Sequence, residues 1–235
     1  MGGALTTIGF DADDTLWHNE RYFALSHDRF AALLAEHSKR DHLMARLLEA
    51  ERRNLPHYGY GIKGFTLSMI ETAIEVTEGK VPAEVIGDLL AAGREMLDHP
   101  IELLPHVEDV LETLRGDYRL IVVTKGDLLD QERKLAQSGL RERFDAVEIV
   151  SHKTEAAYRH IFKQHGQGAA RGLMVGNSLA SDVRPMIEAG GWGVYVPHDL
   201  TWAMEHAKPP TNSPRFAEIN DLSGLPETVK KIVSG

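Results

Sequence analysis

Near the start of the chain, Ile8-Gly9-Phe10 runs into Asp11-Ala12-Asp13-Asp14-Thr15. An apolar stretch stops abruptly at three carboxyls and a hydroxyl. A short apolar run bounded by polar residues reads as a buried strand, and carboxylates at its carboxyl end sit where open α/β sheets bind ligands. Like charges packed this closely are costly unless a cation or phosphate chemistry uses them. Three later apolar segments also end in polar groups: Thr124-Lys125-Gly126-Asp127, Ser151-His152-Lys153, and Gly176-Asn177-Ser178 followed by Asp182. If all four are strands of one parallel sheet, their carboxyl ends share an edge and these groups converge.

Phosphoryl transfer needs an in-line nucleophile, an acid or base for the leaving oxygen, and positive charge on the equatorial oxygens. Asp11 suits the nucleophile, forming an aspartyl-phosphate that splits the reaction into two easier steps. Asp13 suits the general acid and then the base for water. Thr124 and the backbone N–H groups around Lys125 and Gly126 suit the phosphate oxygens. Lys153 suits the developing charge. Carboxylate, carbonyl and water ligands suit Mg²⁺, and Asp11, the Asp13 carbonyl, and Asn177 or Asp182 could supply them. A calcium loop beginning at Asp11 fails, because Leu16 stands where glycine is required and Tyr22 where glutamate is. The 12 histidines show no His-Glu-x-x-His spacing, which argues against zinc.

The elements that must position these groups follow from periodicity. Ala4–Phe10 reads as the first strand. Helical periodicity then runs to about residue 97: Phe23, Phe30 and Leu34; Leu43, Leu47 and Leu48; Leu67, Ile70 and Ile74; Val85, Leu89, Leu90 and Met96. Residues 56–61 (Pro-His-Tyr-Gly-Tyr-Gly) read as a loop within this block. Beyond Pro100, strands and helices alternate, with strands at 118–123, 146–150, 173–175, 194–196 and near 216–219, and a closing helix at about 222–233. Alternation of this kind implies βαβ units and a parallel sheet. The expected fold is α/β, a doubly wound, Rossmann-like parallel sheet at 1–16 and 99–235, with an inserted all-helical domain at 17–98.

This pattern resembles the haloacid dehalogenase-like hydrolase superfamily. The match is Asp-x-Asp-x-Thr at Asp11–Thr15, a threonine at Thr124, a lysine at Lys153 and Gly-x-Ser…Asp at Gly176–Asp182, in the family's order across most of the chain. The resemblance implies that 17–98 is a cap selecting the substrate, that Thr15, Lys125 and Gly126 lie by the phosphate, and that Asp11, Asp13, Asn177 and Asp182 surround Mg²⁺. Two positions depart from the pattern. Asn177 stands where an acid, commonly a metal ligand, is usual, and Lys125 where asparagine is frequent. Asp13 favours phosphatases and phosphomutases over haloacid dehalogenases, which usually lack it. The expected activity is a Mg²⁺-dependent phosphatase of a small phosphorylated metabolite. A phosphomutase and a non-catalytic phospholigand-binding member are the alternatives. A signalling receiver domain is disfavoured by the helical insertion.

Composition bounds the partners. The 235 residues carry Lys+Arg 26 against Asp+Glu 35, a formal net charge of −9, which argues against nucleic acid and anionic membranes. No apolar run approaches the about 18 residues of a membrane helix. Cysteine is absent, so disulfides and thiolate zinc sites are excluded and a reducing cytoplasm is the expected location. Met1–Thr6 fits the loose myristoylation pattern, but the same residues lead into the first strand.

Overall fold

The computed structural model describes residues 4–234; the Met1-Gly2 end of the myristoylation pattern lies outside them. The described elements are β1 (Thr7–Phe10), α1 (Glu20–Leu33), α2 (Arg40–Tyr58), α3 (Ile62–Val76), α4 (Ala83–Asp98), α5 (Val107–Leu114), β2 (Arg119–Lys125), α6 (Leu128–Gln137), β3 (Ala146–Val150), α7 (Glu155–His165), β4 (Gly172–Gly176), α8 (Arg184–Glu188), β5 (Trp192–Tyr195), β6 (Phe216–Glu218) and α9 (Leu225–Ser234).

All six strands are parallel, in the order β3-β2-β1-β4-β5-β6. The chain winds one way from β1 through β3 and the other way from β4 through β6. The switch falls between β1 and β4, where open sheets of this kind form a crevice at their carboxyl ends. Both faces are covered, as a parallel sheet requires. Ile8, Phe10, Leu120 and Val122 pack with Val107, Leu111, Leu225 and Val229 of α5 and α9. Ile121, Val123 and Met174 pack with Tyr158, Phe162 and Met186 of α7 and α8. Alternate residues of one strand thus feed two cores, which is why these strands read as continuous apolar runs. β1 is shorter than expected and begins at Thr7. The preceding residue still joins the sheet, Thr6 N–H donating to the Arg171 carbonyl (2.9 Å).

The chain divides into two compact units, 1–20 with 101–125 and 131–235, and 21–100 with 126–130. The second is helical, with a core of Phe30, Leu34, Leu43, Leu47, Phe65, Met69 and Leu89. Two sequence expectations are corrected here. Helix α2 runs through Pro56 to Tyr58, because the proline removes one bond to the carbonyl a turn back and the ladder resumes just beyond it. Gly59, at φ 71°, then ends the helix with its N–H on Leu55 O. On α3 the buried stripe is Ile62, Phe65, Met69 and Ala73, while Leu67 and Ile74 are 43% and 45% exposed. The buried set spaces at three and four residues and carries small polar residues beside it, which hid it from a count of large aliphatics. Phe65 meets Phe23 and His27 edge-on in this core.

Candidate active site

Asp11 follows β1 directly, and its N–H donates to Val175 O of β4 (2.9 Å). Lys153 arrives just after β3, and its Nζ donates to Asp11 Oδ1 and to Asp182 Oδ1, the latter at 2.7 Å. All three side chains are buried. The second oxygen of Asp182 accepts from Ser178 N–H (2.9 Å). Asp182 can lie this close to the β4 tip only because Gly176 has no side chain: a Cβ there would be 2.2 Å from Asp182 Oδ2. A single π-helical turn at Leu179–Val183 carries Asp182 inward, a backbone feature common at functional sites. Burial and the neighbouring Asp182 push the Asp11 carboxyl up to about 7, with Lys153 pulling it back. Burial would lower Lys153, but the two carboxylates outweigh it and raise its pKa.

Thr15 is fully buried and links two strand ends. Its Oγ1 donates to Asp11 Oδ2 (3.4 Å) and accepts from Asn177 N–H (3.1 Å). One end of the Asn177 amide lies 3.2 Å from Asp11 Oδ2 and 3.3 Å from the Asp13 carbonyl. With its nitrogen there, the amide donates to both oxygens. With its oxygen there, three oxygens face one point. Neighbouring ligands of octahedral Mg²⁺, each about 2.1 Å from the ion, stand about 3 Å apart, so this spacing also suits a small hard cation. Among the described residues no three His, Cys, Asp or Glu side chains converge as a ligand set; a main-chain carbonyl and an amide complete this one. Asp182 turns both oxygens to Lys153 and Ser178, which leaves Asn177 as the side chain facing Asp11 and Asp13.

The Asp13 carboxylate points elsewhere. It accepts from Trp17 Nε1 (2.7 Å), Gln131 Nε2 (2.8 Å) and Lys134 Nζ (3.0 and 3.1 Å). Burial alone would raise its pKa; Lys134, Gln131 and Trp17 together outweigh that and hold it below the ordinary carboxylate value. Sequence reasoning missed Gln131 and Lys134. The signal was their place on α6, where they share a buried helical stripe with Leu135. Polar residues in a core-facing stripe need partners.

Asp14 has a structural part. In the left-handed region at φ 59°, it accepts from the N–H groups of Asn19 (2.8 Å) and Glu20 (3.0 Å), satisfying donors where α1 begins. His198 lies 3.5 Å from the same carboxylate. Burial pushes Asp14 up to about 6.

Thr124 is buried on β2, two residues beyond Val122, which pairs with Phe10, so it stands level with Ala12. Lys125 ends the strand; its Nζ donates to Ser181 Oγ (2.8 Å) and to Glu205. Gly126 follows at φ 143°, a conformation that favours glycine. Glu205 gave no sequence signal, because it lies in irregular chain between β5 and β6. Four strand ends thus present Asp11, Thr124 with Lys125, Lys153 and Asn177 on one edge of one sheet.

Known proteins share the sequence pattern and the fold. A family model described as haloacid dehalogenase-like hydrolase matches residues 5–190. A haloacid dehalogenase-like family hydrolase from Xanthomonas campestris superposes with a TM-score of 0.88 at 40% identity, over 98% of this chain and 93% of that one. L-2-haloacid dehalogenase from Xanthobacter autotrophicus, with chloropropionic acid covalently bound, shares the fold at a TM-score of 0.66 and 17% identity, over 96% of this chain and 98% of that one. Pyrimidine 5'-nucleotidase YjjG of Escherichia coli (strain K12) is 30% identical over 93 residues, 37% of this chain and 41% of that protein, so the match spans less than half of the relative's length. The chain belongs to the haloacid dehalogenase-like hydrolases.

Proposed function

We propose that this hydrolase is a Mg²⁺-dependent phosphatase that acts on a small phosphorylated metabolite through an aspartyl-phosphate on Asp11. The observation that carries the reading is the second carboxylate, Asp13, half-buried two residues beyond Asp11 and hydrogen-bonded to Lys134, Gln131 and Trp17. Carbon–halogen hydrolysis has no leaving oxygen to protonate, whereas a phosphate ester does.

In this reading the Asp11 carboxylate attacks phosphorus and the bond to the leaving oxygen breaks. Asp13, once it has turned from its present donors and taken up a proton, delivers that proton to the leaving oxygen. Asp13, ionised again, takes a proton from water, whose oxygen attacks phosphorus and releases inorganic phosphate with Asp11 regenerated. Lys153 balances charge on Asp11 and on the phosphoryl oxygens, and Asp182 fixes Lys153. Thr124 and the N–H groups near Lys125 and Gly126 bind phosphoryl oxygens. Asp11, the Asp13 carbonyl and Asn177 would hold Mg²⁺, and their all-oxygen donor set fits it. Bound there, the ion would neutralise phosphoryl charge and keep Asp11 ionised. Residues 17–98 would serve as the cap that selects the substrate.

The test is phosphate release from p-nitrophenyl phosphate and a metabolite panel, with Mg²⁺ or EDTA. The panel includes a pyrimidine nucleoside 5'-monophosphate, because the Escherichia coli relative is named for that activity. Chloride release from 2-chloropropionate runs alongside. Metal-dependent phosphate release lost in Asp11→Asn and Asp13→Asn is expected. Chloride release without phosphate release would overturn the reading.

A further inference from the structure

Glu205 occupies a position that looks built for a ligand. Its carboxylate accepts from Lys125 Nζ, from Ser178 Oγ and, at 2.6 Å, from Ser181 Oγ. One ammonium and two hydroxyls therefore converge on one carboxylate, the arrangement that recognises a free carboxylate group. The donors come from rigid parts of the site. Lys125 ends β2 beside Thr124, and Ser178 and Ser181 lie between Asn177 and Asp182, at the start of and within the turn that follows β4. Ser181 is further fixed by its N–H on Ser178 Oγ (3.0 Å) and by its carbonyl, which accepts from Tyr158 (3.0 Å).

The acceptor comes from a different kind of chain. Between β5 and β6, residues 196 to 215 contain only a short helical turn at Ala203–Glu205. After Val196, no residue is buried until Ile219. Long irregular connections in a compact domain are usually functional. This one is held near Glu205 by polar contacts rather than by apolar burial. Burial would raise the Glu205 pKa, but Lys125 and the serines outweigh it and lower it, so the group is an anion at neutral pH.

We propose that Lys125, Ser178 and Ser181 form a carboxylate subsite beside the phosphoryl position, that Glu205 fills it in the absence of substrate, and that the preferred substrate is a phosphorylated carboxylate whose carboxylate displaces Glu205. The proposal rests on the phosphatase reading for the phosphoryl position. The exchange is like for like: the incoming carboxylate inherits the same three donors, and the released segment loses little buried surface. Glu205 thus also keeps the Lys125 charge compensated between turnovers.

The experiment is isothermal titration, with Mg²⁺ present, of phosphonoacetate and of methylphosphonate. The first carries a phosphonate and a carboxylate, the second a phosphonate alone. Wild type, Glu205→Ala, Glu205→Gln and Lys125→Met are compared after circular dichroism confirms folding. Wild type is expected to prefer phosphonoacetate. Glu205→Ala should raise that preference by about tenfold, one charge-assisted pair no longer competing. Glu205→Gln, which keeps the shape, should raise it less, and Lys125→Met should abolish it. An unchanged ratio in both Glu205 variants, equal weakening of both probes, or no binding of phosphonoacetate to Glu205→Ala would each overturn the subsite. Methylphosphonate binding and Asp11-dependent phosphate release report the phosphoryl position separately. Their loss would count against the phosphatase reading, whereas a flat probe ratio with both retained counts against the subsite alone.

Discussion

Replacing Lys153 with methionine keeps the length of the side chain and removes the ammonium. Asp11 and Asp182 both contact that ammonium, and both are buried. Two oxygens on one nitrogen stand no more than about 5.5 Å apart. At an effective dielectric constant of about 20 their repulsion is about 3 kcal/mol, and breaking a buried pair by removing one partner costs about 3–5 kcal/mol in all. Protonation offers an escape. Asp11 is already pushed up to about 7 by burial and Asp182, with Lys153 opposing. Without Lys153 the Asp11 carboxyl moves higher still, so the folded variant binds more protons than the folded wild type. Raised carboxyl values in the folded state mean stability that is lost as pH rises above the unfolded value of about 4. The deficit of the variant should therefore widen from about 1–2 kcal/mol at pH 5 to about 3–4 kcal/mol at pH 8.

Urea unfolding followed by tryptophan fluorescence measures this directly, because Trp17, Trp192 and Trp202 all lie in the α/β unit. A deficit below about 1 kcal/mol at pH 8 would refute the reasoning, as would one that stays constant between pH 5 and pH 8.

Other substitutions probe separate parts of the site and the two units. Gly176→Ala places a Cβ 2.2 Å from Asp182 Oδ2; a loss of about 1–3 kcal/mol in urea unfolding is expected, and a loss within error would mean that Asp182 is not held as described. Asn177→Asp restores a full charge opposite Asp11 and the Asp13 carbonyl, so Mg²⁺ should bind about tenfold more tightly by calorimetric titration; equal or weaker binding would remove Asn177 from the ligand set. Phe30→Ala empties a fully buried position in the helical unit and should cost about 3–5 kcal/mol, read as a lowered melting midpoint by far-ultraviolet circular dichroism. Because the Glu205 pKa lies below its ordinary 4.5, its stabilising contacts are fully present above that pH and are lost as pH falls beneath it. Hydrogen exchange, corrected for intrinsic rates, should show protection around 203–206 falling at low pH in wild type and already low in Glu205→Gln.

Much of the scaffold was legible because burial on two faces leaves a plain mark. Strands β2 and β4 needed apolar residues at every position, and the runs at 120–123 and 173–175 supply them. The acids, threonine, lysine and asparagine that end these runs therefore announced a common edge. Helix α3 was harder. Its buried face combines Ile62 and Phe65 with Thr66, Ser68 and Thr72, whose hydroxyls donate to carbonyls one turn back. A small polar residue satisfied in this way buries as readily as an aliphatic one, and hydrophobicity alone does not mark it.

By itself the amino-acid sequence determined which residues carry reactive groups, their order along the chain and the period that makes each segment a strand or a helix. These are local properties, set by side-chain chemistry and backbone periodicity. Tertiary structure alone decided the partnerships: Asp13 with Gln131 and Lys134, Asp182 with Lys153 rather than beside Asn177, and Lys125 with Glu205. Such pairings join residues far apart in sequence, and the order of the strands and the path of the 196–215 segment bring them together. The charge state of each carboxyl follows from what folding leaves beside it. Asp11 and Asp13, two residues apart and chemically alike, are driven in opposite directions because one is buried beside a second carboxylate and the other is met by an ammonium, an amide and an indole.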